Sequence, residues 1–331
     1  MERVLLLHGG GGEGTWKLIR EVFIKHFDNQ YLSKLEDAAI LELNGKVAYT
    51  TDGFTVKPIF FKGGDIGKLA VAGTVNDLVV MGAKPLYLSV SFVIEEGFPL
   101  MTLERIVQSM KEEAQKTGVI VVAGDTKVVP KGNLDGIFIS TSGIGKVIYE
   151  GLSASNVKPG DIIIASGSLG DHGACILAER EGFDIEIESD CASLWDLVKG
   201  VLSVGAEIHA MRDPTRCGLS SVLHEWASSS KVSFVIEEEN IPVKEPVRGL
   251  CEFLGLEPYH LACEGRVIIA VKEEDAEKVL QALKEHPLGR DSAIIGRAVP
   301  VEKRSEVLLK TAYNTLRHLE PPTGELLPRI C

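Results

Sequence analysis

What the chain lacks narrows its chemistry first. No two of its six cysteines are spaced C-x-x-C, and none stands at zinc-finger spacing from a histidine. That argues against the common structural zinc sites and redox dithiols. No apolar run reaches the ~20 residues that a bilayer crossing takes, and Val4-Leu5-Leu6-Leu7 is too short for a signal peptide. Positive charge is scarce: the formal net charge is −12, which argues against a nucleic-acid backbone or an anionic membrane as the main partner. It leaves nucleotides open, because a divalent cation can carry phosphates past a carboxylate-rich site. The glycine run from His8 to Gly14 lacks the Lys-Ser/Thr pair of a Walker A loop and holds no cysteine. Its backbone could approach an anion closely, so Gly11 and its neighbours form either a phosphate flap or a plain N-terminal arm.

What is present suggests a soluble enzyme-sized chain. The 331 residues suffice for two domains. Strand-like and helix-like segments alternate in both halves, predicting an α/β protein of α+β sandwich type. The turn Lys158-Pro159-Gly160-Asp161 ends a boundary segment, giving domains 1–150 and 151–318 and a tail 319–331. Free thiols fit a reducing, cytoplasmic setting. Cys175, Cys191, Cys217, Cys251 and Cys263 read as small core residues. Cys331 differs. It ends the chain after Glu320-Pro321-Pro322-Thr323-Gly324-Glu325, where prolines favour extended chain. Extended at roughly 3.3 Å per residue, this tail could carry the thiol ~40 Å.

Local signals place the polar residues. Asp65 reads as a helix N-cap and Gly82 as its stop, bracketing an apolar, small-residue helix interrupted by Asn76-Asp77. A carboxylate on such a helix needs a cation or several donors. Helix Thr102–Thr117 should stop at Gly118. Strands are expected at Ile40–Leu43, at Lys46–Thr51 running into Asp52, and at Val119–Ala123, followed by Gly124-Asp125-Thr126-Lys127. Asp213-Pro214 reads as N-cap and N1 of a helix reaching about Ser228. His172 at a helix start is a candidate base or ligand, or simply a polar first-turn residue.

These pieces in this order resemble a known superfamily. The run Thr51-Asp52, Phe60 to Val71, Gly73-Thr74-Val75-Asn76-Asp77-Leu78 and Gly82-Ala83 is similar to the ATP-dependent aminoimidazole ribonucleotide synthetases and their relatives. Glu95-Glu96-Gly97-Phe98-Pro99, Gly124 to Val129, Gly170-Asp171-His172-Gly173, Met211 to Arg216 and the terminal Pro-Arg-Ile-Cys narrow it. Together they resemble the HypE family of carbamoyl dehydratases, which serve [NiFe]-hydrogenase maturation, and the likeness runs along essentially the whole chain.

The resemblance implies two domains of the synthetase fold, a mobile tail, ATP and Mg²⁺ as cofactors, and a homodimer in which first-domain strands close a barrel. It implies that Cys331 accepts a carbamoyl group from the carbamoyltransferase HypF. ATP then drives its dehydration to a thiocyanate, and the cyano group passes to a HypC–HypD complex. No nucleic acid and no membrane are implied as partners. Residue by residue, it makes Cys331, Lys127 and Glu264 catalytic, with Glu264 as base and Lys127 as its partner or as a donor to the amide oxygen. It makes Asp52, Asn76, Asp77, Asp125, Thr126 and Gly11 nucleotide-binding, and Asp37, Asp52, Asp77 and Asp213 metal ligands. Gly53, Cys217 and Cys263 depart from the expected serine, glycine and asparagine. Two other readings compete: a small-molecule kinase or synthetase of the same superfamily, and a non-catalytic thiol carrier switched by nucleotide.

Overall fold

The computed structural model describes residues 3–9, 13–34 and 38–321. The chain opens with a helical segment 13–27 (α1), whose middle, Ile19–Ile24, is π-helical. The first sheet follows: β1 Val47–Phe54, β2 Ala83–Glu95, β3 Ile120–Val129 and β4 Ile137–Val147, in the order β1-β4-β2-β3. Only β2 and β3 pair in parallel. Their connection is α3, Leu100–Thr117, which ends at Gly118 in the left-handed conformation. The segment Ile40–Leu43, expected as a strand, pairs with nothing regular.

Helix α2, Ile66–Val80, explains the architecture. Asp65 caps it, accepting from the Gly67 N–H at 2.8 Å and the Lys68 N–H at 3.0 Å. Nearly every residue is buried, on all sides of the helix. A helix apolar all round must be packed all round. One side meets the first sheet, another meets α3, and a third meets the second domain.

The second domain carries a seven-stranded mixed sheet. Its strands are β5 Ile162–Ala165, β6 Ile208–Arg212, β7 Ser233–Glu237, β8 Ile268–Val271, β9 Ala293–Val299, β10 Val307–Lys310 and β11 Leu316–His318. The order is β11-β10-β7-β9-β5-β8-β6. Helices α4 Asp171–Glu181, α5 Trp195–Ser203, α6 Gly218–Ser230, α7 Glu245–Leu254 and α8 Ala276–Lys284 accompany it.

Alternation along these strands divides the core. Ile162, Ile164, Ile269 and Val271 face a cluster that is continuous with the first domain. Ile163, Ala165, Ile268 and Ala270 face a separate cluster with Trp226 and Phe234. One apolar cluster therefore runs through both domains. The body also extends past the expected start of the tail. Leu319 is buried, its N–H bonds the Val307 carbonyl at 2.9 Å, and its carbonyl takes His224 Nε2 at 2.8 Å. The Glu320 carbonyl accepts from Ser220 Oγ at 3.0 Å. Residues 319–320 thus belong to the domain.

Gly82 ties α2 to the interdomain connection. Its φ is +71°, and its carbonyl accepts from the N–H groups of Ile148 and Tyr149 at 2.9 and 3.1 Å. A Cβ here would collide with the Tyr149 carbonyl. Gly82→Ala should therefore cost at least about 2 kcal/mol, read as a lowered urea midpoint with an unchanged slope. An unchanged midpoint would mean that this junction is not under constraint.

Candidate active site at the domain seam

The strand period puts Thr50 and Asp52 on the helix side of the first sheet, while Val47, Tyr49 and Thr51 face away. On α2, residues three and four apart share a face, so Gly73, Asn76 and Asp77 look toward one region. The two elements meet through side chains. Thr50 Oγ1 donates to Asp77 Oδ2 at 2.7 Å, and Thr74 Oγ1 donates to Asp52 Oδ2 at 2.9 Å. Thr141, opposite Asp52 on β4, joins Thr74 in a hydroxyl pair.

Asp213 enters from the second domain. It does not cap the following helix, which begins at Gly218 behind Cys217, a residue with φ +57°. The delay has a local cause. The Pro214 carbonyl accepts the Cys263 N–H at 2.9 Å, and Gly218 is pressed against the carbonyls of Tyr259 and Leu261. The 213–217 loop is thereby drawn off the helix axis, and the Asp213 carboxylate is left to the cleft. Burial and the neighbouring Asp77 push its carboxyl up to about 7, with Asp52 adding to the effect and Arg212 opposing it. Asp52 is raised too, by burial and then by Asp77, while the Thr74 hydroxyl and Arg216 pull the other way. Asp52, Asp77 and Asp213 thus share one electrostatic neighbourhood. Among the described residues, no group of three His, Cys, Asp or Glu side chains forms a preformed metal cage. Thr50, Thr74 and Arg216 were given no role of their own from the sequence, since isolated hydroxyls and a loop arginine carry no pattern of their own.

Glu264 is buried and faces α2. A Cβ on Gly73 would lie 4.0 Å from Glu264 Oε2 and 2.9 Å from the Phe54 ring. One turn along, Asn76 spends its amide on backbone. Its Nδ2 donates to the carbonyls of Ala192 at 3.1 Å and Glu264 at 3.2 Å, and its Oδ1 accepts the Leu194 N–H at 2.8 Å. The structure thus uses Asn76, expected on the nucleotide, to hold the two domains together. Cys263, beside Glu264, points the other way: its sulfur accepts the Gly170 N–H at 3.1 Å. His172 is fully buried, its Nδ1 bonds Ser189 Oγ at 2.8 Å, and burial drops its pKa to about 3. A base in the cleft it is not.

Asp125, Thr126 and Lys127 lie within the edge strand β3, which runs on past the expected end. An edge strand can solvate charge on its free side. Asp125 and Lys127 are both exposed there, 3.8 Å apart. Asp125 and Thr126 border a cavity of about 380 Å³ walled by Trp16, Phe23, Phe27 and Val121. The described end of the glycine run reaches the same strand, with Gly9 packed on Val128. Gly11, Asp37 and Cys331 lie outside the described residues. Cys175, Cys191, Cys251 and Cys263 are buried as expected, but Cys217 is exposed, because its loop stands clear of the core.

Comparisons with known proteins agree with this architecture. Residues 35–147 match the N-terminal domain, and residues 158–308 the C-terminal domain, of the AIR synthase related proteins. The chain belongs to that class. Carbamoyl dehydratase HypE of Rhizobium leguminosarum is 47% identical over 335 residues, covering 99% of this chain and 95% of the relative. The Escherichia coli protein of that name is 44% identical, with both chains covered in full. A hydrogenase maturation protein HypE solved in complex with ATP superposes with a TM-score of 0.96 at 46% identity, covering 99% of each chain. Within its class, the chain is a member of the carbamoyl dehydratase HypE family. Thiamine-monophosphate kinase, at 20% identity and a TM-score of 0.68, shares the fold.

The raised Asp213 carboxyl has a consequence for stability. The folded chain binds this proton more tightly than the unfolded chain, whose carboxyl sits near 3.8. Stability from this group is therefore present at low pH and is lost as pH rises through about 7. With nucleotide and metal removed, Asp213→Asn should melt above the parent at about pH 8, with the gap closing near pH 4. A gap independent of pH would contradict the burial of an ionisable Asp213.

Proposed function

We propose that the chain dehydrates an S-carbamoyl group on its own Cys331 to a thiocyanate, driven by ATP. One observation carries the reading. Neighbouring residues of one buried helix face two chemistries: Asp77 faces the acid cluster, and Asn76 holds the loop of Glu264. Phosphate chemistry and proton removal are thereby set side by side at the seam. Family membership supplies the reaction class, and the HypE solved with ATP supports a nucleotide here.

The atoms balance. The thiocarbamate Cys–S–C(=O)–NH2 attacks the γ-phosphorus of ATP through its carbonyl oxygen, and ADP leaves. Loss of one proton from nitrogen gives the phosphorylated imidate. Loss of the second, with cleavage of the C–O bond, releases phosphate and leaves Cys–S–C≡N. The sum is thiocarbamate plus ATP giving thiocyanate, ADP, phosphate and one proton. The protein must neutralise charge at the phosphates and place a base at nitrogen. Glu264, buried against Gly73, is that base. Lys127 is assigned to the amide oxygen or to Glu264. Arg216, exposed beside the acid cluster, is available to the phosphates. The aromatic wall of the cavity suits the base of the nucleotide, with Asp125 and Thr126 bordering it for the phosphates, and the family resemblance assigns Gly11 to the nucleotide as well.

Mg²⁺ fits the donor set. Asp52, Asp77 and Asp213 offer hard oxygens, and Asp213 resists ionisation without added positive charge. Magnesium takes one or two carboxylates and completes its shell with phosphate and water, so a preformed cage is not required. These residues, with Asp37, would hold it, and it would offset phosphate charge. The carbamoyl donor is HypF, in keeping with a solved HypE–HypF complex whose HypE matches this chain at 50% identity and a TM-score of 0.81. The acceptor is a HypC–HypD pair. A homodimer accounts for the outer face of the first sheet, where Tyr49 is 67% exposed. A cytoplasmic site of action accords with the free thiols.

The test is the mass of the C-terminal peptide after the carbamoylated full chain meets ATP and magnesium chloride. The parent should lose one water. Glu264→Gln should keep ATP binding and retain the thiocarbamate, and Cys331→Ser should yield no nitrile. Nitrile at the parent rate in either variant would overturn the reading.

A further inference from the structure

The base at the seam is buried, yet its position is set by groups that touch neither nucleotide nor thiol. The Asp190 carboxylate has no exposed surface. It accepts the N–H of Glu264 at 3.2 Å on one oxygen and the N–H of Gly265 at 3.1 Å on the other. Two donors on one carboxylate fix the orientation of both peptide planes. Gly265 must be glycine for this approach, because a Cβ would collide with the Asp190 carbonyl. On the other side of the same residue, the Glu264 carbonyl accepts from Asn76 Nδ2 at 3.2 Å and from the Ala192 N–H at 3.3 Å. Glu264 is therefore gripped at its N–H by the second domain and at its C=O by both domains. Arg266 sits behind, its Nε 3.9 Å from Asp190 and 3.0 Å from the Ser168 carbonyl.

We infer that Asp190 and Asn76 are positioning residues for the dehydration, a two-sided clamp that holds the Glu264 peptide so that its carboxylate stays on the reacting nitrogen. The inference rests on the reading of Glu264 as the base. Its energetic sense is preorganisation. A base on a loop free to shift by an ångström loses about two orders of magnitude in rate. Asn76 and Asp77 are consecutive, so the helix that carries the clamp also carries the nucleotide-side acid. Base and phosphate are thus referenced to one rigid element instead of to two domains separately.

The experiment uses the full-length carbamoylated chain with ATP and magnesium chloride. Two quantities are read: the single-turnover rate of nitrile formation at Cys331, and the dissociation constant of ATP. Asn76→Ala and Asp190→Ala should each slow nitrile formation roughly 10- to 100-fold with ATP affinity unchanged. Asp190→Asn keeps one acceptor oxygen and should recover most of the rate. If Asp190→Ala does not fold, Asn76→Ala carries the test. Parent rates in Asn76→Ala and in any folded Asp190→Ala would overturn the clamp. So would a loss of ATP affinity in Asn76→Ala matching the loss of rate, because Asn76 would then act on nucleotide. Glu264→Gln, run alongside, separates the two ideas. If it is inactive while both clamp variants are fully active, the base stands and the clamp falls. If it is fully active, the base reading fails by itself.

Discussion

A helix with no solvent side governs this molecule. Most of α2 is apolar and small, so sheet, neighbouring helix and second domain can close on it from several directions. Desolvation then makes its few polar groups costly unless each is answered. Thr74 is answered by Asp52 and Thr141, Asn76 by three backbone groups of the second domain, and Asp77 by Thr50. The pairing that folding demands also assembles the site. A core continuous between the domains keeps the assembly rigid.

The electrostatics follow from the same burial. Asp213 and Asp52 are pushed toward the protonated form because low-dielectric surroundings and Asp77 both disfavour more negative charge. Such a cluster is poised for cationic ligands and repels bare anions, so triphosphate binding and metal binding should be mutually dependent. Arg212, at the end of β6, and Arg216, in the loop that follows it, moderate the surplus without removing it.

Much of this was legible in the sequence, and the misses have physical causes. The cap at Asp65 and the left-handed stops at Gly82 and Gly118 are local signals, and local signals read well. Asp213-Pro214 carried an equally plain capping signal, but a hydrogen bond from Cys263 to Pro214 overrode it. Strand β3 outran its expected end because an edge can keep a charged pair wet. The short strands Ile208–Arg212 and Ser233–Glu237 passed unnoticed. That Asp52, Asp77 and Asp213 belong together came from family resemblance, since no spacing links them. The work of Asn76 and Asp190 was invisible, because it depends on backbone groups far away in the chain. Cys217 and Cys263 prove tolerable for different reasons: one sits exposed on a loop, and the other turns its sulfur to Gly170.

In the proposed reaction, the carbonyl oxygen of a thiocarbamate on Cys331 is phosphorylated at this seam. Heavy-oxygen labelling tests that directly. The chain is carbamoylated with heavy oxygen in the carbamoyl group, given unlabelled ATP and magnesium chloride, and the released phosphate is weighed. Label recovered in inorganic phosphate, one atom per nitrile formed, is the predicted result. Label in water, with unlabelled phosphate, would contradict the account.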